Sequence, residues 1–106
     1  MYKLYFTEIF KEDVSNSIKY IRETLHAPFA AEKMKALIKA KYKILKTNPL
    51  LNAIVLDEHL AGKGIRFAMV KNYMMFYFVD GEQINFIRFM YGRRDWINIL
   101  NGESTP

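Results

Sequence analysis

Seven consecutive residues, Tyr73-Met74-Met75-Phe76-Tyr77-Phe78-Val79, carry no charge and are apolar on both alternating faces. Such a strand belongs at the centre of a sheet. Two further strand-like runs flank it, Ile65–Val70 and Ile84–Tyr91. Lys71-Asn72 and Asp80-Gly81-Glu82-Gln83 stand between the runs, where tight turns belong, so the second half of the chain reads as an antiparallel β-meander.

The first half follows a different period. After a short strand over residues 2–6, Thr7 can cap a helix, with Glu8, Glu12 and Asp13 near its positive end. Phe10, Val14, Ile18, Ile21 and Leu25 recur at helical spacing. His26 falls near the C-terminus of that helix, where a cation is favoured. Ala27-Pro28 breaks the stripe, and Pro suits the first turn of a new helix. Met34, Ile38, Tyr42 and Leu45 form the second stripe, supported by Ala31 and Leu37, and Asn48-Pro49 ends it. Two helices of similar length with a very short link make an antiparallel hairpin. Residues 50–64 read as an irregular connection that tucks Leu50, Leu51, Ile54, Val55, Leu56 and Leu60 beneath it. Ile97, Ile99 and Leu100 suggest a last helical turn, and residues 101–106 a frayed tail. The expected fold class is α+β, with a small antiparallel β-sheet packed on an N-terminal helical hairpin in the order β-α-α-β-β-β. Residues 1–106 make one domain.

Composition narrows the chemistry. There is no Cys and only two distant His, which argues against disulfides, thiolate catalysis and a zinc site. No cofactor is expected. No apolar run reaches membrane-span length and the start does not read as a signal peptide, so the expectation is a cytoplasmic protein without a membrane partner. Net charge is +5, and residues 29–47 hold six Lys against Glu32 alone, which also sums to +5. The entire excess sits on the second helix. It is either a solvated lysine face or an attraction for nucleic acid or an acidic protein.

The densest run of functional residue types is Arg88-Phe89-Met90-Tyr91-Gly92-Arg93-Arg94-Asp95-Trp96. Arg88 interrupts an apolar strand, with Ile84, Phe86 and Met90 at the same parity. It either forms a basic sheet face for a partner or is satisfied by an ion pair. Arg93 and Arg94 can bind phosphate through paired donors or hold Asp95. Tyr91 and Trp96 complete the candidate binding set, although Trp96 also suits a packing role between sheet and hairpin. Tyr73 and Tyr77 read as sheet packing with solvated hydroxyls. Asp57-Glu58-His59 has acid–base residue types, but adjacent loop residues diverge.

The same residues carry a resemblance. The opening Phe6-Thr7-Glu8, the pivot at Pro28 with Ala30-Ala31-Glu32-Lys33, and the Asn48-Pro49 exit come first. Leu60-Ala61-Gly62-Lys63-Gly64-Ile65-Arg66, Asn72-Tyr73-Met74-Met75-Phe76-Tyr77 and the Arg88–Trp96 run follow in order. Together they resemble the RelE/ParE superfamily of bacterial type II toxin–antitoxin modules. The resemblance implies a growth-arresting toxin neutralised by a cognate antitoxin whose C-terminal segment wraps it. It also implies one of two targets. RelE-like members cut mRNA in the ribosomal A site, and ParE-like members poison DNA gyrase. For the nuclease arm it assigns catalysis to Arg66 and Arg94. The other basic position of the first meander strand falls on Ala68, the Arg expected early in the middle strand on Met74, and the C-terminal Tyr near Leu100. With the Tyr-Gly-Arg-Arg-Asp-aromatic ending, these departures favour the ParE-like arm over the mRNA interferase. A member that has lost its activity and only binds its antitoxin is a third reading. The sixteen aromatics and six Met further suggest an apolar groove that a partner segment fills.

Overall fold

The computed structural model describes residues 2–102. Strand β1 (Lys3–Phe6) leads into helix α1 (Glu8–Lys19), which continues as a π-helical turn over Tyr20–Thr24. Helix α2 spans Pro28–Thr47, and a 3-10 turn follows over Pro49–Leu51. Then come α3 (Glu58–Gly62), β2 (Arg66–Val70), β3 (Tyr73–Asp80), β4 (Gln83–Tyr91) and α4 (Trp96–Leu100). The strand order is β1-β4-β3-β2. The β2–β3–β4 meander is antiparallel, and β1 adds to β4 in parallel, so the four-stranded sheet is mixed.

Local chemistry explains the helix starts. The Thr7 hydroxyl accepts a hydrogen bond from the Phe10 amide at 3.0 Å, and Pro28 opens α2. The first apolar stripe holds only as far as Ile21. In the π turn the Leu25 amide bonds the Tyr20 carbonyl, which widens the helix and shifts its phase. Leu25, expected in the stripe, is therefore exposed.

The two-sided apolar character of β3 has a direct cause. Met75 and Tyr77 enter a core shared with α1 and α2, built around Phe10, Ile38, Leu45 and Phe86. Met74 and Phe76 enter a second core on the opposite face, with Val55, Leu60, Ile65 and Met90. The short helices α3 and α4 contribute Leu60 and Trp96 to that face.

A bulge changes the expected parity in β4. Tyr77 pairs with Phe86, whereas Phe76 pairs with Arg88, so Ile87 is the extra residue. Beyond it the faces exchange. Ile84, Phe86 and Phe89 share the helix-side core, and Met90 belongs to the other. Arg88 and Met90 thus do not share a face with Ile84 and Phe86.

The 50–64 connection is more exposed than its composition suggests. Residues 53–55 pair with the outer edge of β2, through Val55 N–H to the Ile65 carbonyl and Phe67 N–H to the Ala53 carbonyl. Strand-like alternation turns Val55 inward and Ile54 and Leu56 outward. Of the six apolar residues expected to tuck in, only Val55 and Leu60 are buried. Tyr77 also departs from expectation. Its hydroxyl is buried and donates to the Pro49 carbonyl, which ties β3 to the end of α2. Asn101 and Gly102 continue the α4 turn through bonds to Ile97 and Ile99. The rest of the expected tail, residues 103–106, lies outside the described residues.

Candidate functional site

A cleft of about 830 Å³ lies where the end of α1, the start of α2, the β2–β3 turn and the end of β4 meet. The backbone is unusual around it. The π turn contributes Tyr20 and Ile21 to one wall. Lys71, at the first position of the β2–β3 turn, has φ 54°, a left-handed conformation that costs a side-chain-bearing residue about 1 kcal/mol. The other non-Gly residue of positive φ among those described is His26 (52°), one residue after the wall residue Leu25. Such irregularities concentrate where a fold serves function.

The end of β4 is pressed against that turn. The Gly92 amide donates to the Asn72 carbonyl at 2.7 Å. A Cβ at position 92 would stand 3.1 Å from the same oxygen. Gly92 therefore permits the close approach from which the chain turns away, and Arg94 emerges into the cleft.

Three cations, Lys33, Lys71 and Arg94, line the cleft from three different elements. None of them forms a salt bridge among the described residues. The single carboxylate in the wall, Asp13, is already neutralised. The Arg88 guanidinium donates Nε–H to Asp13 Oδ2 at 2.7 Å and Nη2–H to Oδ1 at 3.1 Å. Asp13 Oδ2 also accepts the Phe89 amide at 3.0 Å. The cleft is thus positive overall.

Its aromatic residues are packed on one another. Tyr73 stacks on Phe89 at 5.1 Å with the ring planes 2° apart, and Tyr91 meets Tyr73 edge-on at 5.6 Å. Burial pushes the Tyr73 hydroxyl above its ordinary range, a hydrogen bond from Ser17 works against this, and Tyr20 and Tyr91 add to the rise. Tyr73 is therefore a poor base at neutral pH. Neither His26 nor His59 lines the cleft.

The sequence candidates divide. Tyr91 and Arg94 lie in the cleft. Arg88 supports its wall through Asp13. Arg93 is exposed and does not line it. Trp96 packs on Phe76, with ring centroids 5.4 Å apart, in the core on the far face. It fills the side away from the hairpin, opposite to the sequence expectation. Arg66 is distant as well. It pairs with Tyr77, whereas Tyr91 pairs with Tyr73, and four residues of strand separate those positions by roughly 13 Å. The Arg66 guanidinium donates to the carbonyls of Asn52 at 2.7 Å and Leu50 at 3.4 Å, away from Arg94. Asp57 caps α3 by accepting the Leu60 amide, which explains the Asp57-Glu58-His59 triplet structurally.

Sequence reasoning missed Lys71 and Lys33 as cleft residues. A Lys where a two-residue hairpin turn favours Gly was the available signal for Lys71. Lys33 was hidden within the general lysine excess. Among the described residues no three His, Cys, Asp or Glu side chains gather as a metal site, and no helix is long and apolar enough to cross a membrane.

Comparison with known proteins bears on the family and the fold. A family model described as the ParE toxin of the type II toxin–antitoxin system parDE matches residues 4–96. Among solved structures, a chromosomal ParDE toxin–antitoxin system from P. aeruginosa superposes with a TM-score of 0.69 at 20% identity, covering 86% of this chain and 96% of that one. The E. coli DinJ–YafQ complex gives a TM-score of 0.61 at 16% identity, covering 86% and 93%. At such identities these structures attest the fold. No curated protein matches the chain significantly.

Proposed function

The chain belongs to the ParE toxin family of type II toxin–antitoxin systems, and on that premise we propose that it arrests bacterial growth by engaging DNA gyrase rather than by cutting RNA. A cognate antitoxin is its neutralising partner in this reading.

The dispersal of Arg66, Arg88 and Arg94 carries the choice of target, although Lys33 and Lys71 join Arg94 in the cleft. Metal-free RNA cleavage needs cations converging on one phosphorane and a group that moves protons beside them. Arg66 is turned onto the Asn52 and Leu50 carbonyls, Arg88 is committed to Asp13, and Arg94 stands alone of the three in the cleft. Of the cleft tyrosines, Tyr73 holds its proton more tightly than an ordinary phenol because of its burial. What the cleft offers instead is an apolar wall of Ile21, Leu25, Met34 and Met90 with cations around it. Such a surface suits a protein segment.

Two assays with the purified chain test this. In one, gyrase supercoils relaxed plasmid in the presence of the chain, and inhibition is expected. In the other, translating ribosomes carry a defined mRNA, and the message is expected to stay intact. Ribosome-dependent cleavage that disappears in the Arg66→Ala, Arg94→Ala double variant would overturn the proposal and establish the nuclease.

A further inference from the structure

Helix α2 carries a second feature, separate from the cleft. Lys35, Lys39, Lys43 and Lys46 follow one another at spacings of four, four and three, so they form a single row along the helix. All four are exposed. Lys35 shares Glu32 with Arg22, at 3.2 and 3.7 Å. Lys39, Lys43 and Lys46 form no salt bridge among the described residues. Lys3, also exposed, stands beside the far end of the row, because the Tyr2 amide bonds the Lys46 carbonyl at 3.2 Å.

The surroundings of the row decide what it can hold. Its shoulder runs through Ala36, Ala40 and Ile44, all exposed, and the two alanines leave room for a wide partner to approach the ammonium groups. A protein interface draws most of its affinity from aromatic or apolar anchors seated in pockets, and beside the row a single exposed Ile44 stands against three lysines that form no salt bridge among the described residues. A regular polyanion needs only repeated point charges. From Lys39 to Lys46 the helix rises roughly 10 Å, about the axial rise of three phosphates along one strand of duplex DNA.

We infer that the lysine row Lys39, Lys43 and Lys46, extended by Lys35 and Lys3, binds the phosphate backbone of duplex DNA without reading sequence. The choice of DNA over RNA rests on the gyrase reading, in which the target holds duplex DNA. The binding itself is independent of that reading. It gives the toxin a means of remaining on DNA near its target, and it keeps the cleft free for protein.

The test is fluorescence anisotropy of a random-sequence 20-base-pair DNA duplex titrated with the purified chain across 50–200 mM salt. Three to four phosphate contacts predict a log–log slope of roughly −3 and a fall in affinity of about 40- to 150-fold over that range. The Lys39→Gln, Lys43→Gln, Lys46→Gln variant should lose most of the binding at 50 mM and flatten the slope to about −1 or less. A charge-matched control, Lys11→Gln, Lys41→Gln, Lys63→Gln, should retain the slope. All of these positions are exposed except the half-buried Lys41, and matching circular dichroism spectra exclude unfolding as the cause.

Unchanged binding by the row variant overturns the inference, as does an equal loss in the control. Tighter binding of polyglutamate than of DNA at matched charge assigns the row to an acidic protein and also overturns it. An RNA duplex binding more tightly than DNA removes the choice of DNA. None of these outcomes touches gyrase inhibition, which the supercoiling assay reads separately.

Discussion

Removal of the Asp13 carboxylate should be the most damaging single change near the cleft. Asp13→Ala takes from Arg88 both of its acceptors, at 2.7 and 3.1 Å, and from Phe89 the partner of its amide. Breaking a buried ion pair on one side costs about 3–5 kcal/mol, because the other charge is left uncompensated. Here the side chains of Arg88 and Asp13 keep 19% and 12% of their surface, so water recovers part of the loss. The orphaned amide adds about 1 kcal/mol, and the expected total is about 2–3 kcal/mol. Against a typical domain stability of about 5–15 kcal/mol that is a large share. It corresponds to a fall in Tm of roughly 10–20 °C. Asp13→Asn keeps an oxygen for the Phe89 amide and should cost less. Urea denaturation of Asp13→Ala, Arg88→Met and the double variant measures the coupling directly, and about 1.5–2 kcal/mol is expected. A coupling below about 0.5 kcal/mol would mean that the pair behaves like an exposed surface bridge, and the account of the cleft wall would be refuted.

Other positions give narrower tests. Gly92→Ala should cost about 1–2 kcal/mol in urea denaturation, since its Cβ would meet the Asn72 carbonyl at 3.1 Å; an unchanged midpoint would show that the turn gives way freely. Lys71→Gly should raise stability by about 0.5–1 kcal/mol by relieving the positive φ, and a loss of stability would instead give the Lys side chain a role in holding the turn. Burial pushes the Tyr42 hydroxyl up to about 12. The unfolded chain then releases that proton near pH 10 while the native state keeps it, so stability falls as pH rises from 10 to 12. Tyr42→Phe should flatten that decline in alkaline denaturation curves, and an unaltered pH profile would refute the assignment.

Periodicity made much of the architecture legible in the sequence. The phase of Phe10, Ile18 and Ile21, the Pro28 and Asn48-Pro49 breaks, and the two-sided apolar β3 lead directly to hairpin and meander. What escaped was set by hydrogen bonding rather than by side-chain pattern. A π turn took Leu25 out of its stripe. A bulge at Ile87 exchanged the faces of β4 beyond it, and of the two readings open for Arg88, a basic sheet face or an ion pair, the ion pair is the one found, with Asp13 of α1. The parallel addition of β1 to β4 leaves no local mark in either strand.

The candidate site was legible only in part. Tyr91 and Arg94 stand close in sequence and remain together in the cleft. Lys33 and Lys71 join them from elements distant in the chain, which only the tertiary fold brings together. Trp96, singled out as the sole Trp, serves the core that α4 builds on the far face. No spacing in the sequence distinguishes that face from the hairpin side.

Growth arrest through gyrase is the central claim, and pulse-labelling of DNA and protein synthesis after induced expression of this chain in bacteria tests it most directly. The account predicts that DNA synthesis fails first, with filamentous cells. Rapid loss of protein synthesis while DNA synthesis continues would contradict it and point to the ribosome.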